Sequence, residues 1–412
     1  MERRVVITGL GTYNPLGNDP NSTWQKVVAG ESGIGLIEEF KDTELKTRFG
    51  GEVKGFDPVD LFGRKDARRM DRVTQLGLAA ANQALADSAL TLDADTCLMT
   101  GVVMGCGMGN VGSAIEGFNV FNEKGLLRMS PFFIPMMLAD SPAASISIAN
   151  GLQGPNMAIA TACAAGNNAL GEAAKMIQRG AADVMLAGGA EAPLLPIVIA
   201  GFNATGALST YDGDPVRASR PFDADRDGFV TGEGAAVLVL ESLEHALARG
   251  AKIYAEFLGY GTSADAYHVS APADDGAGAI QSMQRALDDA GLEAANIDYI
   301  NAHGTGTKLN DKSETLAVKK VFGAVAYERP ISSTKSVHGH LLGAAGALEA
   351  LISVKALMEG CLPPTINYET ADPECDLDYV PNTARAASIR KVLSNGFGLG
   401  GHNATIILGR YG

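Results

Sequence analysis

Cysteine is scarce in this 412-residue chain: there are five, Cys97, Cys106, Cys163, Cys361 and Cys375. They are odd in number, widely spaced and form no CxxC pair. That excludes a disulfide framework and a paired-cysteine zinc site, and it fits a reducing compartment. Aromatics make up only 6% of the residues, so the core has to be built from aliphatic and small side chains. Basic residues are in deficit, with 33 Lys and Arg against 47 Asp and Glu and a formal charge of −14. Nucleic-acid binding is therefore not expected. No apolar run reaches the length of about 18 residues that a membrane span requires. The longest candidate, 341–358, carries Glu349 and Lys355 and reads as a core helix. Met1-Glu-Arg-Arg leads into too short an apolar run for a signal peptide. The expectation is a soluble cytoplasmic protein with no membrane partner.

What is abundant is glycine, with 50 residues, in a chain that is 46% hydrophobic. This composition suits a compact α/β protein packed with small residues. The length exceeds what one hydrophobic core usually holds, so two halves are expected, 1–250 and 251–412.

Ile159-Ala-Thr161-Ala-Cys163-Ala-Ala-Gly166 reads as a short buried strand, a tight turn with cysteine at its crest, and a helix running to about Arg179 and ended by Gly180. A cysteine at a helix N-terminus faces the positive end of the helix dipole, which favours thiolate. Cys163 is thus the candidate nucleophile. Two series of elements look alike. Strand 101–104, strand 157–162 with Cys163 and its helix, and strand 183–187 form the first. Strand 297–301 ending in His303, strand 330–334 ending in Lys335 and His340 before a Gly/Ala-rich helix, and strand 392–395 form the second. Two similar βαβ halves are expected, with Cys163, His303, Lys335, His340 and the 396–401 glycine loop all at strand C-termini, where ligands bind. Two histidines and a lysine beside a thiol can stabilise an enolate oxygen and hold a fixed positive charge, unlike the Cys–His–Asn set of a hydrolase.

Smaller features are read locally. Gly9-Leu-Gly11 after strand Arg4–Thr8 lacks the third glycine of a dinucleotide fingerprint. Asn21 or Ser22 is the expected cap of a short helix, and 130–135 is expected to be an irregular loop. Asp223-Ala-Asp225-Arg-Asp227 lacks the bidentate glutamate of a calcium loop and reads as a bonded turn. The densest basic run, Arg64 to Arg72, is either a solvated face or a docking patch for an acidic partner.

Taken together, Thr161-Ala-Cys163-Ala-Ala-Gly166, Asn301-Ala-His303-Gly-Thr-Gly-Thr307, Ser333-Thr-Lys335-Ser-Val-His-Gly-His340-Leu-Leu-Gly-Ala-Ala-Gly346, Ser219 to Gly234 and Asn395-Gly-Phe-Gly-Leu-Gly-Gly401 resemble the elongating β-ketoacyl-[acyl-carrier-protein] synthases, closest to the synthase II branch. The resemblance runs from Arg4 to the C-terminus. It implies a thiolase-like five-layered αβαβα fold, a homodimer, and acyl carrier protein as partner, with substrates carried on its phosphopantetheine and no separate cofactor or metal. Cys163 would accept the acyl chain, and the backbone N–H groups of Cys163 and Leu399 would form the oxyanion hole. His303 and His340 would drive decarboxylation of the malonyl thioester, and Lys335, paired with Glu349, would support them. Phe397 would sit in the supporting glycine loop. Thr305 and Thr307 would bind pantetheine; Met108, Phe133 and Phe202 would line the acyl pocket; Lys65, Arg68 and Arg69 would dock the carrier.

Three positions depart from the family pattern: Leu399 replaces a gating phenylalanine, His338 a threonine, and Gly206 a basic residue. A thiolase would need a second cysteine in the 396–401 loop, and a starter synthase would carry Asn for one histidine. A polyketide-type ketosynthase shares the motifs. A non-catalytic chain-length partner subunit would lack Cys163.

Overall fold

The computed structural model describes residues 3–412. Ten strands form the frame: β1 (Val5–Tyr13), β2 (Thr100–Gly105), β3 (Asn156–Ile159), β4 (Val184–Glu191), β5 (Gly234–Ser242), β6 (Ala255–Ala264), β7 (Tyr299–Asn301), β8 (Ile331–Ser332), β9 (Lys391–Gly398) and β10 (His402–Gly409). Their order is β8-β7-β9-β10-β6-β1-β5-β4-β2-β3. The order is a palindrome of type. From either end, two parallel pairings lead to two antiparallel ones. The two five-stranded halves join only where Val5–Ile7 of β1 pairs with Ala255–Phe257 of β6. Beyond that corner they part.

The helices that matter for the site are α1 (Pro20–Ala29), α2 (Pro58–Ala67), α3 (Arg72–Ser88), α4 (Val111–Lys124), α5 (Phe133–Met137), α6 (Ser141–Asn150), α7 (Ala165–Gln178), α8 (Pro196–Thr205), α9 (Ala277–Ala290), α10 (Lys308–Phe322) and α11 (Ala345–Glu359). Helices α7 and α11 touch strands of both halves and each other, so they form a middle layer. Helices α3 and α6 cover the outer face of the first half, and α9 with α10 that of the second. The result is the expected five layers, α-β-α-β-α.

Small residues make the middle layer possible. Helix α11 is buried from Ala345 to Leu357, and α7 buries eleven of its fourteen residues. A side chain on Gly166 would sit 2.7 Å from the Ala347 nitrogen, and one on Gly346 would sit 2.3 Å from Asn167 Oδ1. The two helices therefore cross backbone against backbone, which fixes the turns that precede them.

Several local expectations are corrected. Strand β1 does not stop at Thr8 but continues through Gly9 and Gly11. Side chains there would lie 2.3 and 2.1 Å from the Ala84 and Ala80 carbonyls of α3. Those glycines serve helix–sheet packing. The cap of α1 is Asp19, whose carboxylate accepts the Asn21 and Ser22 amides, with Pro20 in the first turn. The 130–135 segment is partly helical, as α5. Helix α8 was not foreseen, because its apolar run carries no polar face to set a period. The Asp223 turn is well bonded: its carboxylate accepts the Asp225, Glu369 and Thr370 amides and pairs with Arg220.

Candidate active site

Cys163 stands at the junction of β3 and α7. Ala162, just before it, has a left-handed φ of 50°, a conformation that costs a non-glycine residue about 1–2 kcal/mol. A single 3₁₀ turn, Ala162–Ala164, then passes into α7. The kink aims the cysteine into a cleft of about 480 Å³. The backbone N–H groups of Leu399 and of Cys163 itself both face the sulfur. That is the pair the family resemblance implies for an oxyanion hole. The β9 chain comes this close because residue 398 is glycine; a side chain there would lie 2.7 Å from the Thr161 carbonyl.

The thiolate expectation is overturned. Burial pushes the Cys163 thiol up to about 12, against the lowering influence of Lys335 and the two amides. Removing a charged sulfur from water costs more here than the helix end returns. The resting group is a thiol.

His303 and His340 line the same cleft, with ring centroids 5.3 Å apart and planes at 83°. Burial first, then Lys335 and the other nearby histidine in each case (His340 for His303, His338 for His340), holds both well below the usual histidine range, so both are neutral. In each ring Nδ1 is sealed in the protein without a partner among the described residues. An orphaned buried donor is costlier than an orphaned acceptor. The proton therefore belongs on Nε2. Phe397 packs against His303 at 5.6 Å, and Phe229 against His340 at 5.4 Å. Lys335 is buried beneath them and donates to Glu349 Oε1 at 2.5 Å. Burial raises the Glu349 carboxyl to about 7, even with that partner.

Thr305 and Thr307 both line the cleft, their hydroxyls 3.0 Å apart. Phe202 of α8 lines it as well, and Met108 shares one apolar cluster with Cys163, Phe202 and Leu342. Phe133 is not brought there. It lies in α5, its ring on Gly117 of α4, outside this cleft. Leu399 is 48% exposed at the cleft wall. His338 is buried, with Nδ1–H donating to the Gly339 carbonyl at 2.6 Å and Nε2 accepting the Thr334 hydroxyl at 3.0 Å. The basic run divides. Arg72 holds the buried Glu233 through two bonds, whereas Lys65, Arg68 and Arg69 are exposed, with Arg69 stacked over Phe132.

Sequence reasoning missed two buried glutamates. Glu314 of α10 accepts the His303 and Gly304 amides at 2.8 Å and the Asn395 side-chain amide at 3.0 Å, and so fixes the His303 loop. Glu191 ends β4. A single acid in an otherwise apolar stretch was the available signal for Glu191; Glu314, among Asp311, Lys312 and Ser313, carried none.

Comparison with known proteins decides what this constellation belongs to. Residues 2–246 match the model of the β-ketoacyl synthase N-terminal domain, and residues 254–369 that of the C-terminal domain. The chain belongs to the β-ketoacyl synthase family. This synthase is 48% identical over 410 residues to a 3-oxoacyl-[acyl-carrier-protein] synthase 2 of Synechocystis sp., covering 100% of the chain and 99% of that protein. It is 47% identical over 409 residues to the one of Staphylococcus aureus, covering 99% of each. Among solved structures, a β-ketoacyl synthase from Burkholderia phymatum superposes with a TM-score of 0.92 at 38% identity, and a type II polyketide ketosynthase in complex with its acyl-carrier protein with 0.93 at 35%; both matches cover 100% of each chain. No helix among the described residues is long and apolar enough to cross a membrane.

Proposed function

We propose that this synthase elongates fatty acids by condensing an acyl group on Cys163 with malonyl-[acyl-carrier-protein]. One observation supports this best: the thiol, two inward amides and two neutral imidazoles with Nε2 as their free atom share one cleft. In the first half-reaction the Cys163 sulfur attacks the thioester carbonyl. The oxygen charge falls on the Cys163 and Leu399 amides. The pantetheine sulfur leaves, and the cysteine proton ends on it. In the second, the malonyl thioester oxygen lies against His303 and His340 Nε2–H. Carbon dioxide departs, and the electron pair it leaves behind is held as an enolate. The enolate carbon then attacks the acyl-cysteine, the carbon–sulfur bond breaks, and the departing thiolate takes a proton from solvent. Neutral donors suit this step because an imidazolium would hold the carboxylate that has to leave. Thr305 and Thr307 hydrogen-bond the pantetheine arm, and Phe202 and Met108 border the acyl chain.

The residues 1–250 and 251–412 act as two units meeting at this cleft. The acyl-loaded and malonyl-loaded carrier proteins dock on Lys65, Arg68 and Arg69, which have no ion-pair partner among the described residues. The synthase works as a cytoplasmic homodimer. Its first half presents the free edge of β3, and Phe118, Leu126, Leu127, Ile134 and Ile148 of the same half are exposed, Leu127 wholly and Ile148 to 82%. A face of this kind is normally covered by a partner.

Intact-mass measurement after incubation with carriers of graded acyl length tests the reading. One acyl adduct on Cys163 is expected, and no adduct from any carrier defeats it. Charge reversal at Lys65, Arg68 and Arg69 should raise KM for the carrier about ten-fold and weaken its dependence on salt, with kcat unchanged. An unchanged KM would make the run a solvated face.

A further inference from the structure

Glu191 is a buried carboxylate that the condensation chemistry does not use. Oε2 accepts the Gly107 amide at 2.6 Å and the Gly343 amide at 2.9 Å, and Oε1 accepts the Met108 amide at 3.2 Å. It has no lysine or arginine partner within ion-pair distance among the described residues. Its hydrogen bonds come from backbone alone, as in an anion-binding nest. The fit is close: a side chain on Gly343 would lie 2.1 Å from the Gly107 nitrogen and 2.7 Å from Glu191 Oε2.

The position gains meaning from the repeat. The turn at Leu341–Gly346 copies the one at Thr161–Gly166. Leu342 takes a left-handed φ of 46° where Ala162 takes 50°, and each is followed by one 3₁₀ turn and a helix opening on Ala-Gly. Gly343 is the counterpart of Cys163. The Cys163 amide faces an oxygen that becomes negative only during reaction. The Gly343 amide faces an oxygen that the protein itself supplies. By the same bonds Glu191 ties down Met108, which packs with Cys163, Phe202 and Leu342 in the apolar cluster beyond the nucleophile.

We propose that Glu191 is a positioning residue for acyl-chain recognition: its carboxylate clamps the 107–108 segment to the Gly343 turn and so sets where Met108 stands against the acyl chain. This rests on the condensing function proposed above. Replacing one carboxylate oxygen by an NH₂ group puts donor against donor, and one of the three amides must swing away. The consequence falls on the far end of a long acyl chain and spares a short one that ends before Met108.

The test compares Glu191→Gln with the unmodified enzyme on hexanoyl and palmitoyl carriers, with malonyl carrier saturating. For palmitoyl, KM is expected to rise about ten-fold, the scale set by one unsatisfied buried amide. For hexanoyl, KM and kcat should stay within about two-fold of unmodified, since the short chain adds no contact at Met108. Equal losses on both chains, or no change on either, would overturn the proposal and leave Glu191 a structural carboxylate. If Glu191→Gln does not fold, Glu191→Asp, which keeps the charge one methylene short, is read the same way. Failure of both to fold would also overturn it. Absence of acylation in the unmodified enzyme would defeat the condensing function itself, which is a separate result.

Discussion

The turns at Thr161–Gly166 and Leu341–Gly346 share a backbone and a closing Ala-Ala-Gly, and differ at the crest, Cys163 against Gly343. Both put a left-handed residue before a 3₁₀ turn, and both lead into middle-layer helices that cross at Gly166 and Gly346. The first carries a thiol at its crest and opens onto the cleft. The second carries glycine and closes on Glu191. The approaches differ too. Ile159 and Ala160 lead into the first turn with no charge, whereas Lys335, His338 and His340 crowd into the second. The repeat thus supplies one rigid geometry twice, and the chemistry is divided between the copies. Cys163 comes from one half, and His303, Lys335 and His340 come from the other. The site exists only where the two halves meet.

The largest effect comes from making the first turn a copy of the second. Cys163→Gly should lower condensation at least about a thousand-fold, as losing a covalent nucleophile does, while leaving the fold intact. Intact mass should show no acyl adduct. Condensation persisting near its original rate would mean that another group carries the acyl chain.

The reverse exchange is expected to fail as structure. Gly343→Cys inserts a side chain 2.1 Å from the Gly107 nitrogen. Backbone has to move, at a cost of about 1–3 kcal/mol or more. A drop in the denaturant midpoint measures it, and an unchanged midpoint would show that the second turn is looser than its copy. No second acylated thiol should appear.

Much of this comparison was legible in the chain. The strand–turn–helix around Cys163, the histidines at strand ends and the likeness of the two series are patterns of neighbouring residues, and they carried the fold class and singled out His303 and His340, which the structure brings into the cleft of Cys163. What failed depended on distance in sequence. Dipole reasoning at Cys163 used only its own helix, and it lost because removal of the thiol from water outweighs Lys335 and the two amides that favour its charged form. Glu191 escaped notice because its partners, Gly107, Met108 and Gly343, lie 84, 83 and 152 residues away, and Glu314 because it sits among other polar residues of a helix that gives no sign of its burial. Phe133 is a family position whose place in a single subunit is away from the cleft, and no local signal says so.

The smallest effect at neutral pH concerns His338, which has no counterpart in the first turn. Both ring nitrogens are bonded, and burial, with Lys335 nearby, lowers its pKa to about 3. An unfolded histidine titrates near 6.5. Between those values the unfolded chain takes up a proton that the folded chain refuses, so this residue removes stability as pH falls from about 6.5 toward 3. The slope is about 1.4 kcal/mol per pH unit. The buried carboxyls raised to about 7, Glu191 and Glu349, act in the opposite direction on the total, but they cancel when two variants are compared. His338→Gln keeps a donor for Gly339 and an acceptor for Thr334 and cannot titrate. Its stability relative to the unmodified enzyme, from urea unfolding between neutral pH and about 4.5, should rise by that slope as pH falls. A flat difference would mean that His338 accepts its proton inside the fold, beside Lys335, and that the charge crowding of the second turn is weaker than its geometry states.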